Sequence, residues 1–281
     1  MPHAALRAPS PRLSAPRRAR LTALLLALTI LLPLLACALP IFCEAPGDKV
    51  VKKKSVVVDC SHADQGYVMI KYKESKKRLK VRLTQGSDNY TYDLNQDGEY
   101  EAFPLQLGSG TYKVQVFQQT SGSRYNSVAS VSFKAKLSDE LAPYLCPSQY
   151  VWYDAQTAAV ARSDELCAGL TSEADKANAL CDFVSRTIVY DHILALTVKS
   201  GYLPVIDEVL EKQRGICFDY AALLACMLRV QGIPTQLVIG YADNCYHSWN
   251  NVWVNGAWVR YDATAMASNL SFSTYTTDRV Y

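Results

Sequence analysis

Three residues of this chain have the types and the order that acyl transfer through a thiol requires. Cys217 opens the apolar run "CFDYAALLACML", His247 stands in "CYHSWNNVWV", and Asp262 follows "AWVRY". A cysteine at a helix N-terminus meets unpaired backbone N–H groups and the positive end of the helix dipole. Both favour the thiolate, which is the nucleophilic form. A thiolate enzyme also needs a base within hydrogen-bond reach and a third group to orient that base. The chain has only four histidines. His3 lies in a leader, His62 in a polar turn between strands, and His192 in a helical segment as a structural side chain. His247 begins a strand, in "CYHSWNNVWV".

The elements around these residues must bring them together. "VNGA" contains Asn255-Gly256, the strongest short signal for a two-residue hairpin turn. With that pair as the loop, Val254 faces Ala257 and Trp249 faces Asp262. His247 lies two residues from Trp249 and shares its face. It becomes a diagonal neighbour of Asp262, about 7–8 Å away between backbones. The carboxylate can then hold the imidazole as triad logic requires. A slip of one residue would put the two on opposite faces. The helix that Cys217 opens carries Leu223, Leu224, Met227 and Leu228 on one side, and Gly232-Ile233-Pro234 stops it.

Helical periodicity precedes the cysteine. Ser138 opens a helical region in "SDELAPYL", and "AQTAAVARSDELCAGL" and "SEADKANALCDFVSRTIVY" continue it. "SGYLPVIDEVLEKQRG" reads as a loop and short helix. Three strands follow, "TQLVIGY", "SWNNVWV" and "AWVRYDA". Helices first and an antiparallel sheet second is an α+β order. The front half is all β: "SVVVDC", "GYVMIKY", "RLKVRL", "NYTYDL", "GTYKVQVF" and "SVASVSFKA" are short, rich in β-branched and aromatic residues, and separated by turns. Their number and spacing predict a small β-sandwich over 55–137, ahead of a catalytic domain over 138–281. Asp93, Asn95, Asp97 and Gly98 match the start of a calcium loop, but the twelfth position is Pro104, so a tight turn is expected.

The first 36 residues read as a leader. Five arginines and no acid precede "LTALLLALTILLPLLA", and "LLAC" ends at Cys37 as a lipobox would. Cys37 is the lipidation candidate. The rival is an uncleaved anchor, since Leu21–Phe42 is long enough to span a bilayer. Either places the folded part outside the cytoplasm, on a membrane-anchored or secreted chain, with 37–54 as a tether. Without the five arginines, 24 basic residues stand against 26 acidic ones, a net of −2. That excludes a nucleic-acid footprint. The basic stretch Lys71–Arg82 reads as the solvated face of a hairpin, with an anionic membrane or cell-wall surface as its sharper alternative. Of the nine cysteines, Cys167, Cys181 and Cys226 sit among apolar neighbours as buried thiols, and Cys245 reads as structural. There is no CxxC or other metal-ligand spacing, so no metal is expected, and a Cys–His–Asp site needs no cofactor.

"GICFDYAALLACMLRVQGIPTQLVIGY" followed by "HSWNNVWVNGAWVRYDAT" resembles the core of the transglutaminase-like superfamily, over roughly residues 140–270. The resemblance implies a papain-like fold, helices packed on an antiparallel sheet. It also implies Cys217 as nucleophile, His247 as general acid/base and Asp262 as orienter. "YLPVIDEVL" is similar to secreted bacterial members. Ser248 stands where Ala is frequent, Asn251 where Glu is common, and Ala263 where Pro is usual. The implied substrate is a protein or peptide amide, with water or an amine as acceptor. The competing reading is a non-catalytic cell-surface binding module with a vestigial core.

Overall fold

The structure is a computed structural model that describes residues 41–72 and 76–281. Cys37, His3 and the leader lie outside the described residues, as do three residues of the basic stretch. The strands and helices run in the order β1 (Val50–Lys53), β2 (Val56–Asp59), β3 (Tyr67–Tyr72), β4 (Leu79–Gln85), β5 (Asp88–Leu94), β6 (Glu101–Pro104), β7 (Gly110–Ser121) and β8 (Arg124–Ala135). Then come α1 (Ala158–Cys167), α2 (Glu173–Thr187), β9 (Val189–Tyr190), α3 (His192–Thr197), α4 (Ile206–Lys212), β10 (Arg214–Gly215) and α5 (Cys217–Val230). The chain closes with β11 (Thr235–Ala242), β12 (Cys245–Val254), β13 (Ala257–Tyr261), α6 (Ala263–Ala267) and β14 (Tyr275–Val280). The fold is α+β: antiparallel sheets in the front half, then helices on an antiparallel sheet.

The front strands form two four-stranded sheets, ordered β1-β2-β3-β6 and β5-β4-β7-β8. Alternation sends Val56, Val58 and Ile70 from one sheet and Val81, Tyr112 and Val114 from the other into one shared core. Two strands of this half are not readable in the sequence. Part of the expected tether is β1, which pairs antiparallel with β2 and brings Gly47 N–H to Asp59 Oδ2 at 2.7 Å. Its lysines suit an edge strand, where pairing needs the backbone and no apolar face. The other is β6, only four residues long, whose Ala102 and Phe103 are buried. The calcium-like segment is a turn: Asn95 Oδ1 accepts from Gly98 N–H, Asp97 Oδ1 from Glu99 N–H, and Asp93 pairs with Arg78 and Lys80.

The helix expected from Ser138 is reduced to one 3-10 turn, Ala142–Leu145. Pro147 explains the stop. The residue before a proline is pushed out of the helical region, and Cys146 is extended at φ −89, ψ 144. In the second half the sheet order is β13-β12-β11-β14, with every pairing antiparallel. α5 lies on this sheet and is buried almost throughout, from Asp219 to Val230. α1, α2, α4 and α6 pack around it, so the helix that begins with Cys217 is the centre of the core. Cys167, Cys181 and Cys226 are buried free thiols in this core.

Candidate active site

The hairpin β12–β13 sets the register at the site. Asn255 and Gly256 both have positive φ, 53° and 80°, the geometry that a two-residue turn of matching twist needs. Val254 pairs with Ala257, and the ladder continues to Asn250 opposite Tyr261. Asp262 is therefore the first residue past the strand. There it caps α6, with Oδ1 accepting from Ala265 N–H at 2.9 Å. One carboxylate oxygen is thus spent on the helix and the other is aimed back at the strand.

His247 receives that second oxygen. Its Nε2 lies 2.8 Å from Asp262 Oδ2, and both side chains are nearly fully buried. Tyr275, from β14, donates its phenol to the same oxygen at 2.8 Å. Cys217 lies close enough to the same imidazole to help raise its pKa. With Nε2 held by Asp262, the nitrogen left for the thiol is Nδ1. The structure therefore brings Cys217, His247 and Asp262 into one chain of contacts. Burial alone would lower the His247 pKa. Its hydrogen bond to Asp262 and the neighbouring Cys217 outweigh burial and lift it to about 9. Burial alone would raise Asp262, but hydrogen bonds from His247, Ala265 and Tyr275 outweigh it and hold the carboxyl below the usual range.

Local chemistry fixes the start of α5. Asp219, fully buried in the first turn, accepts from Ile216 N–H at 2.8 Å and from the Tyr202 phenol at 2.7 Å. A carboxylate here satisfies an orphan donor of the helix end. Gly215 has to be glycine, because a Cβ there would lie 2.6 Å from the Cβ of Asp219. Gly215 also pairs in parallel with Tyr190, tying β9 to the residue two positions before the cysteine. Gly240 faces His247 across the β11–β12 ladder, and a Cβ on it would come 2.0 Å from Thr276 O of β14.

Cys217 opens into a cleft of about 390 Å³ whose walls include Tyr190, Tyr202, Phe218, Ile239, Tyr246 and Ser248. Asp191, next to Tyr190, caps α3 by accepting from Leu194 N–H. His192 is exposed on α3 and His62 lies in the front half, so neither reaches the cleft. Cys245 is exposed and unpaired, so the structural role expected of it is not what this position shows. Tyr275 and Asp219 are the residues that sequence reasoning misses. Asp219 leaves one trace, an acid at the third position of a helix. No such signal marks Tyr275. Among the described residues no group of His, Cys, Asp or Glu side chains could hold a metal ion.

Residues 160–263 match the family described as the transglutaminase-like superfamily, through its transglutaminase core. Among solved structures, a candidate cysteine protease from Cytophaga hutchinsonii is 15% identical, over 77% of this chain and 86% of its own, with a TM-score of 0.40. The periplasmic domain of TgpA from Pseudomonas aeruginosa is 16% identical, over 81% and 78%, with a TM-score of 0.36. No curated protein matches the chain. The matched span, residues 160–263, holds Cys217, His247 and Asp262 and is similar to the transglutaminase-like superfamily.

Proposed function

We propose that the protein is an extracytoplasmic cysteine enzyme that acts on protein or peptide amide bonds through Cys217, His247 and Asp262. The observation that carries this reading is the single run of contacts from a helix-opening thiol, through a buried imidazole, to a carboxylate with two further donors. The Cys217 thiolate attacks the amide carbonyl, forming an S–C bond and an oxyanion. The N–H of Cys217, unpaired at the helix start, supports that oxyanion. His247, charged as imidazolium, gives its proton to the leaving nitrogen, and a thioester remains. Ammonia leaves when the amide is a glutamine side chain; a peptide amine leaves when it is a main-chain bond. Water or an amine then attacks the thioester while His247 takes its proton; the S–C bond breaks, and the thiolate and imidazolium are restored. Asp262 keeps the imidazole in one orientation and favours its charged form. No cofactor enters any step. The leader and Cys37 motivate placement on the outer side of a membrane, by lipid or anchor, with surface protein or cell-wall peptide as the accessible substrate.

The test incubates the full chain with a glutamine-rich protein and a labelled primary amine, beside a Cys217→Ala control, with mass spectrometry as readout. Label joined to glutamine only with intact Cys217 establishes amine transfer. Cysteine-dependent deamidation or cleavage without label establishes water as the acceptor. If the wild type and the control behave alike, and Cys217 resists iodoacetamide at neutral pH, the catalytic reading falls and a binding module replaces it.

A further inference from the structure

Two cysteines outside the active site are brought together by segments far apart in the chain. Ile41, Cys43 and Ala45 pack against a small cluster built from Tyr67, Met69, Ala102 and Cys146. Every second residue faces inward, as in an extended chain, while Glu44 and Pro46 are exposed. The stretch that the sequence offers as a tether is thus seated on the core, and Cys43 is the half-buried residue it turns toward Cys146. Cys146 is fully buried. The other thiols lie elsewhere: Cys60 in the core of the front sheets, Cys167, Cys181 and Cys226 around α5, and Cys245 exposed on β12.

The residues on either side of Cys43 are held to the surroundings of Cys146. Before it, the Phe42 ring meets the Tyr153 ring at 6.4 Å between centroids. Tyr153 in turn donates its phenol to the carbonyl of Leu145, the residue ahead of Cys146, at 2.7 Å. After it, the Glu44 N–H donates to the Tyr67 hydroxyl at 3.3 Å. Tyr67 opens β3 two residues beyond Gln65, and Cys146 Sγ lies 3.6 Å from Gln65 O and 3.4 Å from Ala142 O. Arg229 fixes the backbone at the same point by donating to Cys146 O at 2.7 Å. The two thiols therefore share one small box of side chains, and Cys146 is close enough to Cys43 to help raise its pKa.

We infer that Cys43 and Cys146 form a disulfide site, which closes when the chain meets an oxidant and fixes the first described residues to the segment joining the two halves. Cys43 is the accessible member, so its thiolate attacks first. It takes one sulfur of a disulfide oxidant RSSR, one RSH leaves, and a mixed Cys43–SR bond forms. The Cys146 thiolate then attacks the Cys43 sulfur, and the second RSH leaves. The protein gives up two electrons and two protons, and both end on the two RSH. Burial, and next the neighbouring Cys146, push the Cys43 thiol well above its usual value, so little thiolate is present at neutral pH and closure is slow. The closed ring runs from residue 43 to residue 146 and contains all of β1 to β8. A cross-link around so long a loop restricts the unfolded chain strongly. In the cell the bond rests on the extracytoplasmic placement proposed above, because such bonds persist in oxidising compartments. The test supplies its own oxidant and does not depend on that placement.

The test incubates the full chain, and a Cys217→Ala variant in which the nucleophile cannot consume the oxidant, with oxidised glutathione. Remaining thiols are alkylated with iodoacetamide in denaturant, and the protein is digested with chymotrypsin without reduction and read by mass spectrometry. Cleavage after Phe42 separates Cys43 from Cys37. The expected result in both proteins is one species that joins the Cys43 and Cys146 peptides and splits on reduction. The oxidised wild type should also unfold at a higher urea concentration than the reduced one. Cys43→Ser should lack the joined species, and its urea midpoint should not respond to the oxidant. Cys43 and Cys146 both alkylated after oxidation, or either one joined to a different cysteine, overturns the proposal. So does a joined species that forms as readily in urea-unfolded protein, because the fold would then contribute nothing to the pairing. Failure here leaves the placement and the Cys217 reading standing.

Discussion

At the scale of single residues, His247 is subject to two opposed pulls, and the larger one decides how the site responds to pH. Burial favours the neutral ring; Asp262 and Cys217 favour the charged ring and win, moving the group from 6.5 to about 9. A charged imidazole is what a leaving amine needs, so kcat/KM should fall as pH rises through about 9. Asp262→Asn keeps the shape and removes the charge. It should move that basic limb down toward 6.5 and cut the rate, both read from a pH–rate profile. The same shift bears on stability. The unfolded chain releases the His247 proton near 6.5 and the folded chain near 9, so the stabilisation is complete below 6.5 and is lost as pH rises to about 9. The wild type should show this loss in urea midpoints between those values, and His247→Ala should not. The contact between His247 and Asp262 is legible in the sequence because Asn255-Gly256 admits one register, and that register sends both side chains the same way. Tyr275 is not legible, because a phenol in "SFSTYTTDRV" looks like any tyrosine until the strand that carries it has been placed.

At the scale of elements, the site depends on two adjacent ladders. β12 and β13 deliver His247 and Asp262, and β14 delivers Tyr275 to the other side of the carboxylate. Gly240 lies where β11 serves both neighbours, and the pairing with β14 changes register beside it. A methyl there would drive into Thr276 O, so Gly240→Ala should displace β14 and cost about 1–3 kcal/mol by overpacking. Activity should fall further than that loss of stability accounts for, because Tyr275 moves with the strand. Denaturant midpoints and kcat measured side by side would separate the two effects. β14 escapes sequence reading for a physical reason. It is an edge strand with an exposed middle, so it shows no alternation of apolar and polar residues. The long helix α5, by contrast, is readable at once, since burial on nearly every side makes its middle, Ala221 to Leu228, apolar without a break. The helix expected at Ser138 shows the reverse error, where local periodicity continues up to a proline that the backbone cannot ignore.

At the scale of the whole molecule, the described residues form one compact unit around two main cores. Arg229 is one fastener. Its buried guanidinium donates to Thr235 O, Cys146 O and Tyr281 O, joining α5 to β11, to the connecting segment and to the last strand. Burial pulls its pKa down, yet four hydrogen bonds to carbonyls keep the charge satisfied. Arg229→Met keeps the bulk and strands those carbonyls, so it should cost about 3 kcal/mol or more, visible as a lower urea midpoint. Tyr150 is the other fastener, since it packs on both cores. It lies 5.8 Å from Tyr92 of β5, 4.1 Å from Tyr281 and 5.9 Å from Phe218 between ring centroids. Heating should therefore give one calorimetric transition with matching calorimetric and van't Hoff enthalpies, and a fragment beginning at Ser138 should not fold.

Phe218 is the residue beside the nucleophile, so the row Tyr92–Tyr150–Phe218 runs from the front sheets to the cleft. Anyone building chimaeras from this scaffold would choose the seam at 137/138, where strands give way to helices. A cut there would leave Tyr150 facing water and Phe218 without its backing. The front half thus serves as part of the mould in which the cysteine's helix is cast, and a foreign β module joined at that seam would have to reproduce the imprint of Tyr92 before the thiol behind it could be expected to react.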